Sequence, residues 1–285
     1  MLIMVLSAVM FGLMPSLASI ARSGGVSTET LLFIRFSISA VLVAIFARAT
    51  RRPMPTGVHL ARWMIVGLVL YTVQSYSFFT ALLHAPAALV SLLLYLYPVI
   101  VAVLSVMFLG EKITKLKGVC LTIAIAGAIL AVGPVAAGSP LGVIWGLTAA
   151  IAYSVYLVVG ARLLRDSDAV GASVVIMFAA SIAYATMATL NGWHFPETTG
   201  GWAGSIGLAL VSAVALATLF VGMDVIGPVN TSTISAIEPI VTAALGFALF
   251  AQKPTPLQFV GGALILAAAL LVVRGSHTES DVKSP

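Results

Sequence analysis

Ser91-Leu-Leu-Leu-Tyr-Leu-Tyr97-Pro98-Val-Ile-Val101 and, 141 residues further on, Ser232-Thr-Ile-Ser-Ala-Ile-Glu238-Pro239-Ile-Val-Thr242 decide how this chain folds. Each is part of an apolar run about long enough to cross a bilayer, and each carries a proline near its middle. Downstream at the same offset, Lys112-Ile-Thr114-Lys-Leu116 falls on Lys253-Pro-Thr255-Pro-Leu257, and a small-residue-rich apolar helix follows in both copies. The chain reads as a repeat of one helical unit.

Working outward, further apolar runs fill the chain from end to end. Spans are expected at 2–22, 28–47, 63–84, 86–109, 116–136, 141–161, 172–192, 202–223, 228–251 and 256–273. Ala85-Pro86 and Gly227-Pro228 supply the tight reversals at 84–86 and 224–228, because proline cannot continue a helix through its own nitrogen. The fold class is therefore all-α and polytopic, with ten transmembrane helices as a 5+5 inverted repeat. The units are 1–137 and 138–275, followed by a solvated tail at 276–285. Composition agrees: 61% of residues are hydrophobic and 8% charged, with mean hydropathy +1.14. A soluble fold has too much surface for its volume to hide that many apolar groups.

The Lys/Arg distribution sets the orientation. With the N-terminus inside, the inner loops and tail hold eleven basic residues: Arg48, Arg51, Arg52, Arg62, Lys112, Lys115, Lys117, Arg162, Arg165, Arg274 and Lys283. The outer loops hold Arg22 and Lys253, and Arg35 lies within a span. Both termini are thus expected in the cytoplasm of a bacterial-type inner membrane. The formal net charge of +5 is then a topogenic signal toward anionic lipid, not a nucleic-acid surface. Because each unit holds five spans, an odd number, the second copy lies upside down relative to the first. Inverted repeats place a binding site near the midplane, between the halves.

On these residues the chain resembles the drug/metabolite transporter superfamily, in particular its EamA-type exporters, over essentially its whole length. The likeness is carried by Leu32-Phe-Ile-Arg35-Phe in span 2 and by Tyr71-Thr-Val-Gln74-Ser-Tyr-Ser-Phe78 in span 3, which leads into Ala85-Pro-Ala-Ala-Leu-Val-Ser. The mid-span proline of helix 4 with Gly110-Glu111-Lys112-Ile-Thr114, and Ile237-Glu238-Pro239 in helix 9, complete it. Two departures stand out: Ala251-Gln252 where a second Gly-Glu would be expected, and Phe11-Gly12 where the family more often has Trp-Gly. The resemblance implies secondary transport, often export of amino acids, other metabolites or drugs, with no prosthetic group.

Several residues are candidates for the transport site. Glu238 lies mid-span, where a carboxylate costs about 2.5–3.5 kcal/mol on insertion scales. It could meet a substrate ammonium, exchange a proton, or order the Pro239 bend as a structural carboxylate. Arg35 reads as a structural charge that snorkels toward headgroups or pairs inside the bundle. Tyr71, Gln74, Ser75 and Phe78 recur at helical spacing on span 3, Tyr95 lies on the corresponding stripe of span 4, and Trp145, Tyr153 and Tyr156 on that of span 6. Such stripes, mixing rings with hydroxyls and an amide, suit a cavity for an amphipathic solute. Plain helix packing is the competing account, with Trp145 an interface anchor. Pro15, Pro98 and Pro239 are candidate bends or hinges.

The chain carries one cysteine, Cys120, and shows no metal-ligand spacing. His-Glu-x-x-His, Gly-x-Ser-x-Gly and P-loop motifs are absent, which argues against an intramembrane enzyme or an ATP-driven pump. A nucleotide-sugar or sugar-phosphate carrier would need intramembrane cations against phosphate, and only Arg35 is available. The partners expected are a small-molecule substrate and the lipid bilayer, with no nucleic acid; the chain acts as a monomer or a homodimer. Cysteine labelling of the 48–62 loop is expected from the cytoplasmic side, and labelling from outside would overturn the topology.

Overall fold

The computed structural model describes residues 2–109, 115–132, 139–235, 238–251 and 255–282, all of the regular structure being helical. In chain order the helices are α1 (Leu2–Ser23), α2 (Thr28–Ala49), α3 (Gly57–Ile65), a π-helical segment (Val66–Tyr71), α4 (Thr72–His84), α5 (Ala87–Leu94) and α6 (Tyr97–Leu109). They continue as α7 (Lys115–Val132), α8 (Pro140–Leu163), α9 (Ala169–Asn191), α10 (Thr199–Ser235), α11 (Glu238–Phe250) and α12 (Pro256–Val282).

Six uninterrupted runs among the described residues are long and apolar enough to cross a membrane: Leu2–Ser23, Thr28–Ala49, Gly57–His84, Pro140–Asp166, Ala169–Asn191 and Thr199–Gly222. Shorter apolar helical stretches at Ala87–Val101, Gly118–Gly127, Ile240–Phe250 and Pro256–Ala268 bring the total to ten. Large side chains such as Ile45, Ile144, Phe178 and Phe259 point outward from these helices, as lipid contact requires. The protein is an integral membrane protein of ten helices. The 110–114 motif and the 137/138 boundary lie outside the described residues. Helix α12 runs to Val282, well into the expected tail.

Local chemistry sets the helix starts. Ser27, Ser139 and Asp168 each stand before a helix, and each side chain accepts from a backbone N–H of the first turn. Those N–H groups have no partner within the helix, so the caps remove a desolvation cost. Asp168 also pairs with Arg52 at 3.4 Å, tying the α2–α3 link to the start of α9.

A helix start recurs with the sequence offset of 141: Thr28 of α2 with Ala169 of α9. The two copies also run in opposite directions. The start of α2 meets the α9–α10 link, where the Ser27 N–H donates to the His194 carbonyl at 3.2 Å. Its far end meets the start of α9 through Arg52 and Asp168. Arg22 near the end of α1 donates to the Phe79 carbonyl near the end of α4, and Ser139 before α8 donates to the His84 carbonyl at 2.9 Å. Helix α1 therefore ends on the face from which α8 begins.

The expected reversal at 224–228 takes an unexpected form, because α10 remains helical from Thr199 to Ser235. Gly222 nevertheless sits against Met4, whereas Glu238 and Val241 sit against Gly12. A straight helix would carry residue 238 about 24 Å beyond residue 222 at 1.5 Å per residue. It would leave α1 behind, not climb eight residues along it. The chain therefore turns back within the C-terminal part of α10.

Close packing runs through small residues, as bilayer helices need when lipid offers no hydrophobic drive between them. A Cβ on Gly12 would stand 2.7 Å from the Val241 Cβ and 2.9 Å from the Glu238 carbonyl oxygen, whereas one on Gly118 would meet nothing within 4 Å. Gly12→Ala is expected to cost about 1–3 kcal/mol through overpacking. Gly118→Ala should be neutral or stabilise by up to about 1 kcal/mol. Thermal unfolding of the detergent-solubilised variants measures both.

Candidate functional site

Three irregularities in the helices converge on one cavity. The first is the π-helical segment Val66–Tyr71. Here Gly67 lies against the Ile176 backbone and Ala179 of α9, so closely that a Cβ would stand 2.6 Å from the Ala179 methyl. The wider turn carries its own backbone bond, the Thr72 N–H donating to the Gly67 carbonyl. The Thr72 hydroxyl donates to the Gly67 carbonyl and the Tyr184 hydroxyl to the Thr72 carbonyl, each at 2.8 Å. Tyr71, at the end of this segment, is thereby turned inward.

The second irregularity is a turn at Tyr95-Leu96 that divides the fourth span into α5 and α6. The third is Pro15 inside α1, which cannot donate to the Phe11 carbonyl one turn earlier. Phe11 and Met14 beside Pro15, and Leu94 and Tyr97 beside the turn, all line the cavity. Pro98 and Pro239 each occupy the second residue of a helix, α6 and α11, where a missing N–H costs nothing. The break at Tyr95-Leu96 thus precedes Pro98; the side chains of Pro98 and Pro239 lie outside the described ones.

Tyr71, Gln74, Ser75 and Phe78 line the cavity along one face of the third span, Tyr153 faces them from α8, and Glu238 closes a further side. The empty space between these side chains amounts to about 560 Å³, part of it open to the surroundings. Its walls are a chain of rings. Tyr71 lies 5.1 Å from Tyr156, Tyr156 5.9 Å from Tyr153, and Tyr153 4.9 Å from Tyr97, edge-on.

Three of the aromatic candidates stand outside this lining. Tyr95 is buried behind Tyr97, and the reason is the turn at Tyr95-Leu96. A stripe drawn at uninterrupted helical spacing loses its phase there, so Leu94 and Tyr97 face inward instead. The Tyr95 hydroxyl neighbours the Glu238 carboxyl without the geometry of a full hydrogen bond. Tyr156 forms a second layer, wholly buried between Tyr71 and Tyr153. Trp145 lies two turns from Tyr153 toward the start of α8, edge-on to Tyr76 at 5.9 Å.

Arg35 lines the cavity and is only 4% exposed. Its guanidinium does not reach the lipid surface, and it meets no carboxylate of a described residue. Nε donates to the Ser212 hydroxyl at 2.7 Å and Nη2 contacts the Met14 sulfur at 3.4 Å. The Phe36 and Phe79 rings lie 4.6 and 5.0 Å away. Phe11, Met14, Phe79, Leu94, Tyr97 and Leu216 are lining residues that helical stripes did not single out. For Tyr97 the signal was the repeat itself, since it is the offset partner of Glu238.

The second-layer position of Tyr156 makes a simple prediction. Its buried hydroxyl has no partner among the described residues, so Tyr156→Phe should leave thermal stability unchanged or raise it. Tyr184→Phe, which removes the buried hydroxyl bond to the Thr72 carbonyl, should cost about 0.5–1.5 kcal/mol. The same unfolding measurement separates the two.

Comparison with known proteins agrees with the architecture. The family model of the EamA-like transporter family matches residues 1–133 and again 140–274. An uncharacterized transporter of Archaeoglobus fulgidus is 28% identical over 95% of this chain and 94% of its own length. A pseudopaline exporter of Pseudomonas aeruginosa is 26% identical over 96% and 95%. A protein of known crystal structure shares the fold with a TM-score of 0.71 over 99% of this chain and 98% of that one, at 20% identity. With its two matched segments covering nearly every residue, the chain belongs to the EamA-like transporter family.

Proposed function

We propose that this transporter exports small amphipathic solutes of the amino-acid type by alternating access through the central cavity, with both termini in the cytoplasm. One observation carries the reading: a half-buried carboxylate, Glu238, faces a cavity walled by Tyr71, Phe78, Tyr97 and Tyr153. Rings offer an apolar and cation-attracting surface, Gln74 and Ser75 offer directed hydrogen bonds, and the carboxylate offers a counter-charge for an ammonium group. A sugar phosphate would instead need several cations, and the lining holds one. The pseudopaline exporter among the relatives supports the outward direction and widens the cargo class beyond the standard amino acids. Pro15, Pro98 with the turn before it, and Pro239 are the places where the halves could flex.

Glu238 also serves as a proton site in this reading, since a carboxylate alternately exposed to the two aqueous phases can carry a proton one way and cargo the other. The test is efflux from liposomes holding the purified chain, with a panel of amino acids, nucleosides and cationic drugs. Saturable movement of at least one amino acid is expected. Glu238→Gln should slow it roughly tenfold or more, as loss of a charged hydrogen bond would, and should abolish any coupling to an imposed pH gradient. Tyr153→Ala should also weaken transport while the protein stays folded. Normal transport by both variants would dismiss the site.

A further inference from the structure

Arg35 raises a question that a packing role does not answer. A guanidinium has five N–H donors, and the protein engages it through Nε to Ser212 and Nη2 to Met14 alone. Sulfur is a weak acceptor. No carboxylate of a described residue stands within the 4.0 Å of an ion pair, the one such pair being Arg52–Asp168 at the membrane edge. The Phe36 and Phe79 rings beneath the guanidinium offset part of the charge. They satisfy none of the remaining N–H groups. A cation 96% removed from solvent is therefore held rigidly at its inner edge by Ser212, with its outer donors on the cavity wall.

Glu238 presents the mirror condition, a carboxylate on the same wall with no cation within ion-pair distance among the described residues. The two charges also share a depth. Arg35 touches Met14, and the backbone of Glu238 touches Gly12, two residues away on α1. Opposite charges at one level of a low-dielectric site that do not pair with each other attract a ligand that bridges them. Each would otherwise remain a desolvated, uncompensated ion.

We propose that Arg35 is the carboxylate anchor of the transported solute and Glu238 its ammonium partner, so that the cavity selects zwitterions carrying both groups. This rests on the transport reading above and narrows it: an amphipathic cation without a carboxylate is excluded as a good substrate. Ser212 is a positioning residue, fixing the guanidinium through Nε so that one N–H of Nη1 and one of Nη2 form the parallel pair that suits a carboxylate. The apolar part of the solute then lies among the rings of Tyr71, Phe78 and Tyr153.

The test is competition. Full-length protein in liposomes takes up labelled phenylalanine, or whichever amino acid of the panel moves best, against unlabelled amino acid or its carboxamide. In the wild type the amide should compete at least tenfold more weakly. Arg35→Gln should weaken the amino acid about tenfold and leave the amide unchanged, read as ligand-induced thermal stabilisation where transport is slow; Arg35→Lys should recover part of the loss. Equal potency of acid and amide in the wild type would overturn the proposal, as would an equal loss of both in the variant. Should Arg35→Gln fail to fold, Ser212→Ala decides: a several-fold loss for the acid alone supports the anchor, and no change in the acid-to-amide ratio overturns it. A wild-type protein that moves no amino acid at all sinks the transport reading itself, a result distinct from either.

Discussion

In hydrocarbon, a backbone N–H or C=O without a partner costs several kcal/mol, so a chain that crosses a membrane can leave the helix only where protein or a cavity takes up the freed groups. This constraint organises the whole molecule. The outward faces of its helices are regular and apolar. Among the described residues its irregularities include the π-helical turn at Val66–Tyr71, the break at Tyr95-Leu96, and Pro15. Each supplies lining residues to one cavity. The irregular backbone and the site are two aspects of one arrangement, because only there can the cost be met. Thr72 and Tyr184 show how, their hydroxyls bonding the carbonyls of Gly67 and Thr72.

Much of this was readable in the chain because lipid makes the code simple. Apolar runs of span length, separated by basic or Gly/Pro links, give the helix count with few competing solutions. The offset of 141 also relates the starts of α2 and α9, Thr28 and Ala169. The third-span stripe of Tyr71, Gln74, Ser75 and Phe78 reaches the cavity intact because α4 is regular after Tyr71. Periodicity failed at Tyr95 because it presumes an unbroken helix, and Leu96 interrupts that helix one residue before Tyr97. Trp145 lay outside the site for a different cause: a stripe fixes a face but not a depth, and Trp145 sits two turns too near the end of α8. Nothing in the pattern of span 2 could show that Arg35 is met by Ser212, 177 residues away.

The contacts around Gly12 link the fold to motion. Helix α1 packs on α10 along much of its length, with the Ser7 hydroxyl on the Ala215 carbonyl at 2.8 Å, and on α11 through Gly12 and Thr242. It is thus wedged between the two limbs of the returning α10–α11 segment, with Pro15 just above the contact. A shift of α11 must be felt at Gly12, and through it at Phe11 and Met14 on the cavity wall. Bending at Pro15 is inexpensive because the Phe11 carbonyl has no hydrogen bond there to break. A shared, tightly packed helix with a soft point at cavity depth is the mechanical arrangement that rocking of one half against the other requires.

The two copies are alike in scaffold and unlike in chemistry, and that difference gives the cavity its polarity. At the offset of 141, Ser75 corresponds to Leu216 and Tyr97 to Glu238, and all four line the space. Arg35 corresponds to Ile176, which is buried against Gly67. Each half thus contributes one charge, of opposite sign, at a position where its mate is uncharged. Had both copies kept an arginine or both a glutamate, like charges would face each other across a low-dielectric gap, repelling strongly and accepting only a doubly charged ligand. One cation and one anion, held apart by rings, make a site whose net charge is zero yet whose ends differ. Such a site orients a dipolar solute as well as binding it. In the proposed transport cycle it would present that solute in one orientation whichever half moves, leaving direction to the proton exchange proposed for Glu238.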